Sequence, residues 1–136
     1  MTDVVVDASV WVSRLVEGDV HHARCREWLD NQEVCGGLLV APALMLAEVA
    51  GAISRRTRRP GLARQAVRGL QAIPQLRLVS VDPALADLAA ALAGEHALRG
   101  ADALYVATAS QLRLPLVTLD DEQLSRAKSI VTTSSP

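Results

Sequence analysis

Short runs of apolar and β-branched residues, Val4–Val6, Leu38–Ala41, Arg77–Val81 and Leu116–Leu119, alternate along this chain with longer stretches of helical character. Runs this short suit strands buried on both faces, and a helix between successive strands demands a crossover connection, so the alternation predicts a mostly parallel sheet. Helices are expected near Ser9–Val16 and Val20–Asn31, from Pro42 onward, over Leu62–Ala72, Pro83–Leu98 and Ala101–Leu112, and from Asp121. Pro42 is read as a first helical position, where a missing N–H has no intrahelical partner to lose. Pro60-Gly61 separates two helices. A last strand is expected at Ile130–Val131, with Thr132–Pro136 a frayed tail. The predicted fold is α/β, a three-layer α/β/α sandwich around a mostly parallel central sheet of about four to five strands.

A chain of 136 residues is expected to form one domain spanning 1–136. Half of its residues are hydrophobic and 21% are charged, which excludes a disordered chain. Aromatic residues make up 2% and Phe is absent, which argues against a base-stacking surface for single-stranded nucleic acid. The net charge of −1 gives no global attraction to phosphates, so any such attraction is local. Arg55, Arg56, Arg58 and Arg59 cluster, with Arg64 and Arg68 beyond. That cluster reads equally as a phosphate contact or as a solvated helix end that complements the helix dipole.

Cys25 and Cys35 form no CxxC pair, and no leader with a basic region and apolar stretch opens the sequence, so the cytosol is expected. His21 and Cys25 fall one helical turn apart, with His22 and Cys35 nearby, yet no second pair at finger-like spacing supports zinc. His96 is read as a surface residue. From Cys35 to Ile53 the only charge is Glu48, but Pro42 and three glycines interrupt the stretch. A core strand followed by a core helix accounts for it better than a membrane span, and no membrane association is expected.

Four carboxylates stand where apolar surroundings would ordinarily exclude charge. Asp7 and Asp120 end predicted strands, Val4-Val5-Val6-Asp7 and Leu116-Val117-Thr118-Leu119-Asp120, and the carboxyl ends of parallel strands share one edge of a sheet. Asp102 follows Gly100-Ala101 in the first turn of a helix. Glu48 has Leu44, Met45, Gly51 and Ala52 as its helical neighbours, which sets its carboxylate within an apolar face. Each acid has a structural alternative. Asp7 and Asp120 suit helix N-caps, Asp102 suits the dipole, and Glu48 has Arg55 two turns on as a possible ion-pair partner. Several acids in one crevice repel one another unless a cation compensates, and an oxygen-only donor set suits Mg²⁺ or Mn²⁺. A phosphodiesterase is the reading that uses all four.

The residues also resemble a known family. Val5-Val6-Asp7-Ala8-Ser9, Leu46-Ala47-Glu48-Val49, Arg99-Gly100-Ala101-Asp102-Ala103-Leu104-Tyr105-Val106-Ala107 and Leu116-Val117-Thr118-Leu119-Asp120 are similar, in order and spacing, to the motifs of PIN-domain ribonucleases, and most to the VapC-type toxins of toxin–antitoxin pairs. The resemblance implies a metal-dependent endoribonuclease, often a homodimer, whose acidic groove is blocked by a cognate antitoxin. Asp7, Glu48, Asp102 and Asp120 fall at the positions of the acidic quartet. Asp7 and Asp102 would hold the Mg²⁺ or Mn²⁺, with Glu48 and Asp120 acting directly or through water. Ser9 and Thr118 fall where a hydroxyl supports the first and last acids. Asp121 stands where many relatives carry a basic residue, so it too is a candidate at the metal site. Arg55, Arg56, Arg58 and Arg59 would meet RNA or antitoxin.

Two readings of other classes stand beside this one. Asp7, Thr118, Asp120 and Lys128 loosely fit a phosphotransfer or receiver-like domain, although their spacing disfavours it. A catalytically silent binding module would use the same acids as caps and salt bridges.

Overall fold

A computed structural model describes residues 2–136. Five strands, β1 (Val4–Val6), β2 (Leu39–Pro42), β3 (Leu76–Val79), β4 (Leu116–Val117) and β5 (Thr133–Ser134), form one sheet in the order β3-β2-β1-β4-β5. Every pairing is parallel. The intervening helices are α1 (Ala8–Leu15), α2 (His22–Cys35), α3 (Met45–Thr57), α4 (Pro60–Gln71), α5 (Pro83–His96), α6 (Gly100–Leu112) and α7 (Asp121–Ala127). The architecture is the three-layer α/β/α sandwich expected from the alternation.

The first two crossovers lead from β1 toward one edge, and the later ones lead back past β1 toward the other. Right-handed crossovers that travel in opposite directions place their helices on opposite faces. In accord with this, α1 packs on α2 and α3, and α3 on α4, while α5 packs on α6 and α6 on β1 and β2. Strand order reverses at β1, so the crevice of a doubly wound sheet opens beyond its carboxyl end, between β2 and β4.

The core is aliphatic, as the composition requires. Val4, Val5 and Val6 of β1, Leu39 and Ala41 of β2, and Leu116 and Val117 of β4 are all buried. Trp11 and Tyr105, two of the chain's three aromatic residues, are fully buried beside them. Gly37 precedes β2 where a Cβ would lie 2.5 Å from the Thr2 carbonyl oxygen, so only glycine lets the chain pass so close to the start of β1.

Several boundaries differ from expectation. Pro42 ends β2 and does not open α3, which starts at Met45. Leu39 and Ala43 donate to Gln75 and Val79 on the β3 side, so an N–H at position 42 would point toward β1, whose pairing with β2 stops at Val40. The missing donor therefore costs no ladder bond. The final strand is Thr133–Ser134, inside the stretch expected to fray, and not Ile130–Val131. Leu116 N–H donates to the Thr132 carbonyl and Thr118 N–H to the Ser134 carbonyl, so the tail covers what would be an open edge of β4. Ile130 and Val131 instead pack against the core. His96 lies at the surface, partly buried and 3.9 Å from Glu95. No helix among the described residues is long and apolar enough to cross a membrane.

Candidate active site

A cleft of about 700 Å³ opens at the carboxyl end of β1, and Asp7, Glu48, Asp102 and Asp120 all line it. Each acid comes from a different element, and local chemistry explains each placement. Asp7 leaves β1 in extended conformation and caps α1, its Oδ2 accepting from Ser9 N–H at 3.0 Å. Asp120 caps α7 in the same way, its Oδ1 accepting from Glu122 N–H at 2.9 Å and Gln123 N–H at 3.2 Å. The capping roles foreseen for these residues are thus real. The caps use one oxygen of each carboxylate, Asp7 Oδ2 and Asp120 Oδ1.

Glu48 is not paired with Arg55. Its Oε1 accepts a 2.6 Å hydrogen bond from the hydroxyl of Tyr105, a residue on α6 that the sequence reading did not single out. Asp102, in the first turn of α6, accepts from Arg99 Nε at 3.0 Å, and the same guanidinium reaches Asp120 Oδ2. An arginine other than the expected Arg55 therefore bridges two of the acids.

The acids feel one another. Burial pushes the Asp7 carboxyl above the usual carboxylate range, against the hydrogen bonds from Ser9, and the charge of Asp120 adds to the rise. Burial likewise raises Glu48, despite the Tyr105 hydroxyl, with Asp7 and Asp102 adding to it. Asp102 is raised by burial and by Asp7 and Asp120, even with Arg99 alongside. Tyr105 is itself pushed far upward by burial and by Glu48, so its hydroxyl remains a donor.

A buried hydroxyl and amide network fixes the floor. Thr118 Oγ1 donates to Gln123 Oε1 at 2.8 Å and accepts from Asp120 N–H at 3.1 Å, while Ser9 Oγ stands 3.4 Å from it and accepts from Leu119 N–H. Gln123 Nε2 reaches the Asp102 carbonyl at 3.4 Å. Ser9 and Thr118 both join this network, and Gln123, 1% exposed, is a further member absent from the sequence reading. Its place in the first turn of a helix capped by Asp120 is the signal that marks it.

Other expected residues lie elsewhere. Asp121 is exposed and does not line the cleft, so Asp120 is the acid that faces it. Arg55 and Arg56 line the cleft, whereas Arg58 borders a separate hollow and Arg59 is the exposed N-cap of α4. Arg56 is tied to Asp19, which also accepts from Ser13 and from His21 N–H. Although burial opposes it, these bonds hold Asp19 down at about 2. Lys128 is exposed at the end of α7, away from the cleft. Among the described residues no three His, Cys, Asp or Glu side chains stand close enough to share an ion as placed. For the quartet, two of its four members are held by Arg99. The donor set is oxygen only, the kind that hard divalent cations take.

The fold and its cleft define a doubly wound α/β protein with acids gathered at the strand-order reversal. The family model of the PIN domain matches residues 4–129, and the chain belongs to the PIN domain family. No curated protein matches it in sequence. Among solved structures it is similar to the toxin VapC20 of Mycobacterium tuberculosis, described as cleaving the sarcin-ricin loop, with a TM-score of 0.79, 17% identity and coverage of 90% of this chain and 94% of that one. It is similar also to a toxin–antitoxin complex from Klebsiella pneumoniae, with a TM-score of 0.65, 18% identity and 90% and 91% coverage. A third likeness is to VapBC2 of Rickettsia felis bound to a DNA fragment from its promoter, with a TM-score of 0.70, 13% identity and 98% coverage of both chains. At these identities the likeness is one of fold.

Proposed function

We propose that this chain is a metal-dependent endoribonuclease, the toxin component of a type II toxin–antitoxin pair, acting on RNA phosphodiester bonds with Mg²⁺ or Mn²⁺. The observation that carries the reading is that four carboxylates from four elements face one cleft, three of them raised by burial and by one another's charge. Asp7 and Asp102 would hold the metal, with Glu48 and Asp120 completing its surroundings directly or through water. A divalent cation bound there supplies neutralisation of charge on the scissile phosphate and activation of water for in-line displacement. Glu48, with its raised carboxyl and a Tyr105 donor, would orient a water and take its proton. Arg55 on the cleft wall, with Arg56 fixed by Asp19, offers positive charge to the RNA backbone. Membership of the PIN family and likeness in fold to proteins described as toxins support an antitoxin partner, and a homodimer in the cytoplasm is the form we propose.

The test is cleavage of total RNA with Mg²⁺ or Mn²⁺, with EDTA as control. Asp7→Asn and Asp102→Asn are expected to abolish cleavage while circular dichroism stays unchanged. Cleavage that persists in EDTA contradicts the reading.

One observation favours a second reading, a silent binding module: Asp7 and Asp120 do cap helices, and Arg99 does neutralise two acids. That reading predicts no metal-induced rise in melting temperature at millimolar Mg²⁺, whereas the nuclease reading predicts stabilisation growing as RT ln(1 + [L]/Kd).

A further inference from the structure

Arg99 occupies an unusual position. It is exposed at the N-cap of α6, caps nothing with its side chain, and spends its guanidinium on two acids of the cleft. The Asp120 side chain and the Asp102 backbone do not need it to keep their places. The Asp120 carboxylate is fixed by the α7 cap, and the Asp102 backbone is tied through Gln123 to Thr118. The turn that presents Arg99 is held separately, with Ala97 in left-handed conformation and its carbonyl accepting from Arg126. The side chain is thus free to leave while the backbone around it stays.

Leaving matters because Nε takes Asp102 Oδ2 and a terminal nitrogen takes Asp120 Oδ2. These are oxygens a cation would need, and as placed no three acids among the described residues stand close enough to share one ion. We propose that Arg99 is a displaceable internal counter-ion: it neutralises Asp102 and Asp120 in the metal-free protein and is expelled when a divalent cation binds, lowering metal affinity by competition. The inference rests on the metal reading above. It also makes the guanidinium free for another anion at the cleft mouth only once the cation is in place.

The full-length chain tests this at neutral pH, by calorimetric Mn²⁺ titration of the wild type, Arg99→Gln and Arg99→Lys, and by NMR of the Arg99 Nε–H during a Mg²⁺ titration of the wild type. Arg99→Gln is expected to bind Mn²⁺ roughly three- to tenfold more tightly, within the range two exposed ion pairs allow. Arg99→Lys keeps the charge but cannot fork across both carboxylates, so its affinity is expected to rise by a smaller factor. The Nε–H resonance is expected to move to the position of a solvated guanidinium as Mg²⁺ saturates. Unchanged Mn²⁺ affinity in Arg99→Gln overturns the proposal. So does wild-type affinity in Arg99→Lys beside tighter binding in Arg99→Gln, which would reduce the effect to charge at a distance. A static resonance at saturating Mg²⁺ also overturns it, and that measurement needs no variant to fold. In all three cases the wild type still binds metal. A wild type that binds neither cation removes the metal reading itself, and this inference with it.

Discussion

Replacing Tyr105 by Phe removes one hydroxyl and nothing else, which makes the electrostatics of Glu48 directly testable. The hydroxyl donates to Glu48 Oε1 at 2.6 Å, short enough to mark a charge-assisted bond. Such bonds contribute about 1.5–3 kcal/mol, and since Glu48 is half-buried the lower end applies. The loss should therefore raise the Glu48 pKa further still. The sign is upward because the donor favours the ionised form, while burial, Asp7 and Asp102 already act against it. The direct assay is the carboxyl ¹³C shift of Glu48, titrated without metal in both proteins. If Glu48 must ionise to take part in cation binding, the pH profile of Mn²⁺ affinity should shift upward by the same amount and converge with wild type in alkali. An unchanged Glu48 midpoint would show that the hydrogen bond does not hold the charge, and a lowered one would show the sign to be wrong.

The metal-free protein should lose stability as pH rises above the ordinary carboxylate range of about 4. Asp7, Glu48 and Asp102 are all raised in the folded state, so between their unfolded and folded values the folded chain binds more protons. Thermal melts across that range, with Mg²⁺ flattening the trend, check this, and a melting temperature that climbs with pH contradicts it. Asp19, held at about 2, acts oppositely: its contribution is complete above the unfolded value near 4 and is lost as pH falls through about 2, so Asp19→Asn should weaken the fold at neutral pH and progressively less as pH falls through that range. Gly37→Ala should destabilise by about 1–3 kcal/mol in urea unfolding, since its Cβ would meet the Thr2 carbonyl at 2.5 Å and backbone must move. Gln123→Leu should cost a similar ~1–3 kcal/mol by stranding the Thr118 hydroxyl, and should reduce metal affinity by loosening Asp120.

How far the site was legible depends on the range of the forces that built it. Asp7 and Asp120 stood out because each interrupts an apolar run at its end, and a strand's register is local enough to show which edge its last residue reaches. Glu48 stood out because helical spacing alone sets it among apolar neighbours. Ser9 and Thr118 entered through resemblance, and the hydroxyl network places them at the floor of the cleft. By contrast Tyr105, Gln123 and Arg99 lie within or beside quoted motifs, yet their roles depend on partners up to 57 residues away. The tail shows the same division. Thr133 and Ser134 have no local signal strong enough to name a strand, and only the open edge of β4 makes them one.

The order of strands and helices, the aliphatic core and the acids at the strand ends are properties of the sequence itself, because period and burial act between residues near in the chain. Which donor steadies Glu48, which cation sits between Asp102 and Asp120, and how Asp121 is left outside the cleft were decided only by tertiary structure. Hydrogen bonds and ion pairs act over a few ångströms, and folding alone determines which distant side chains come within that reach.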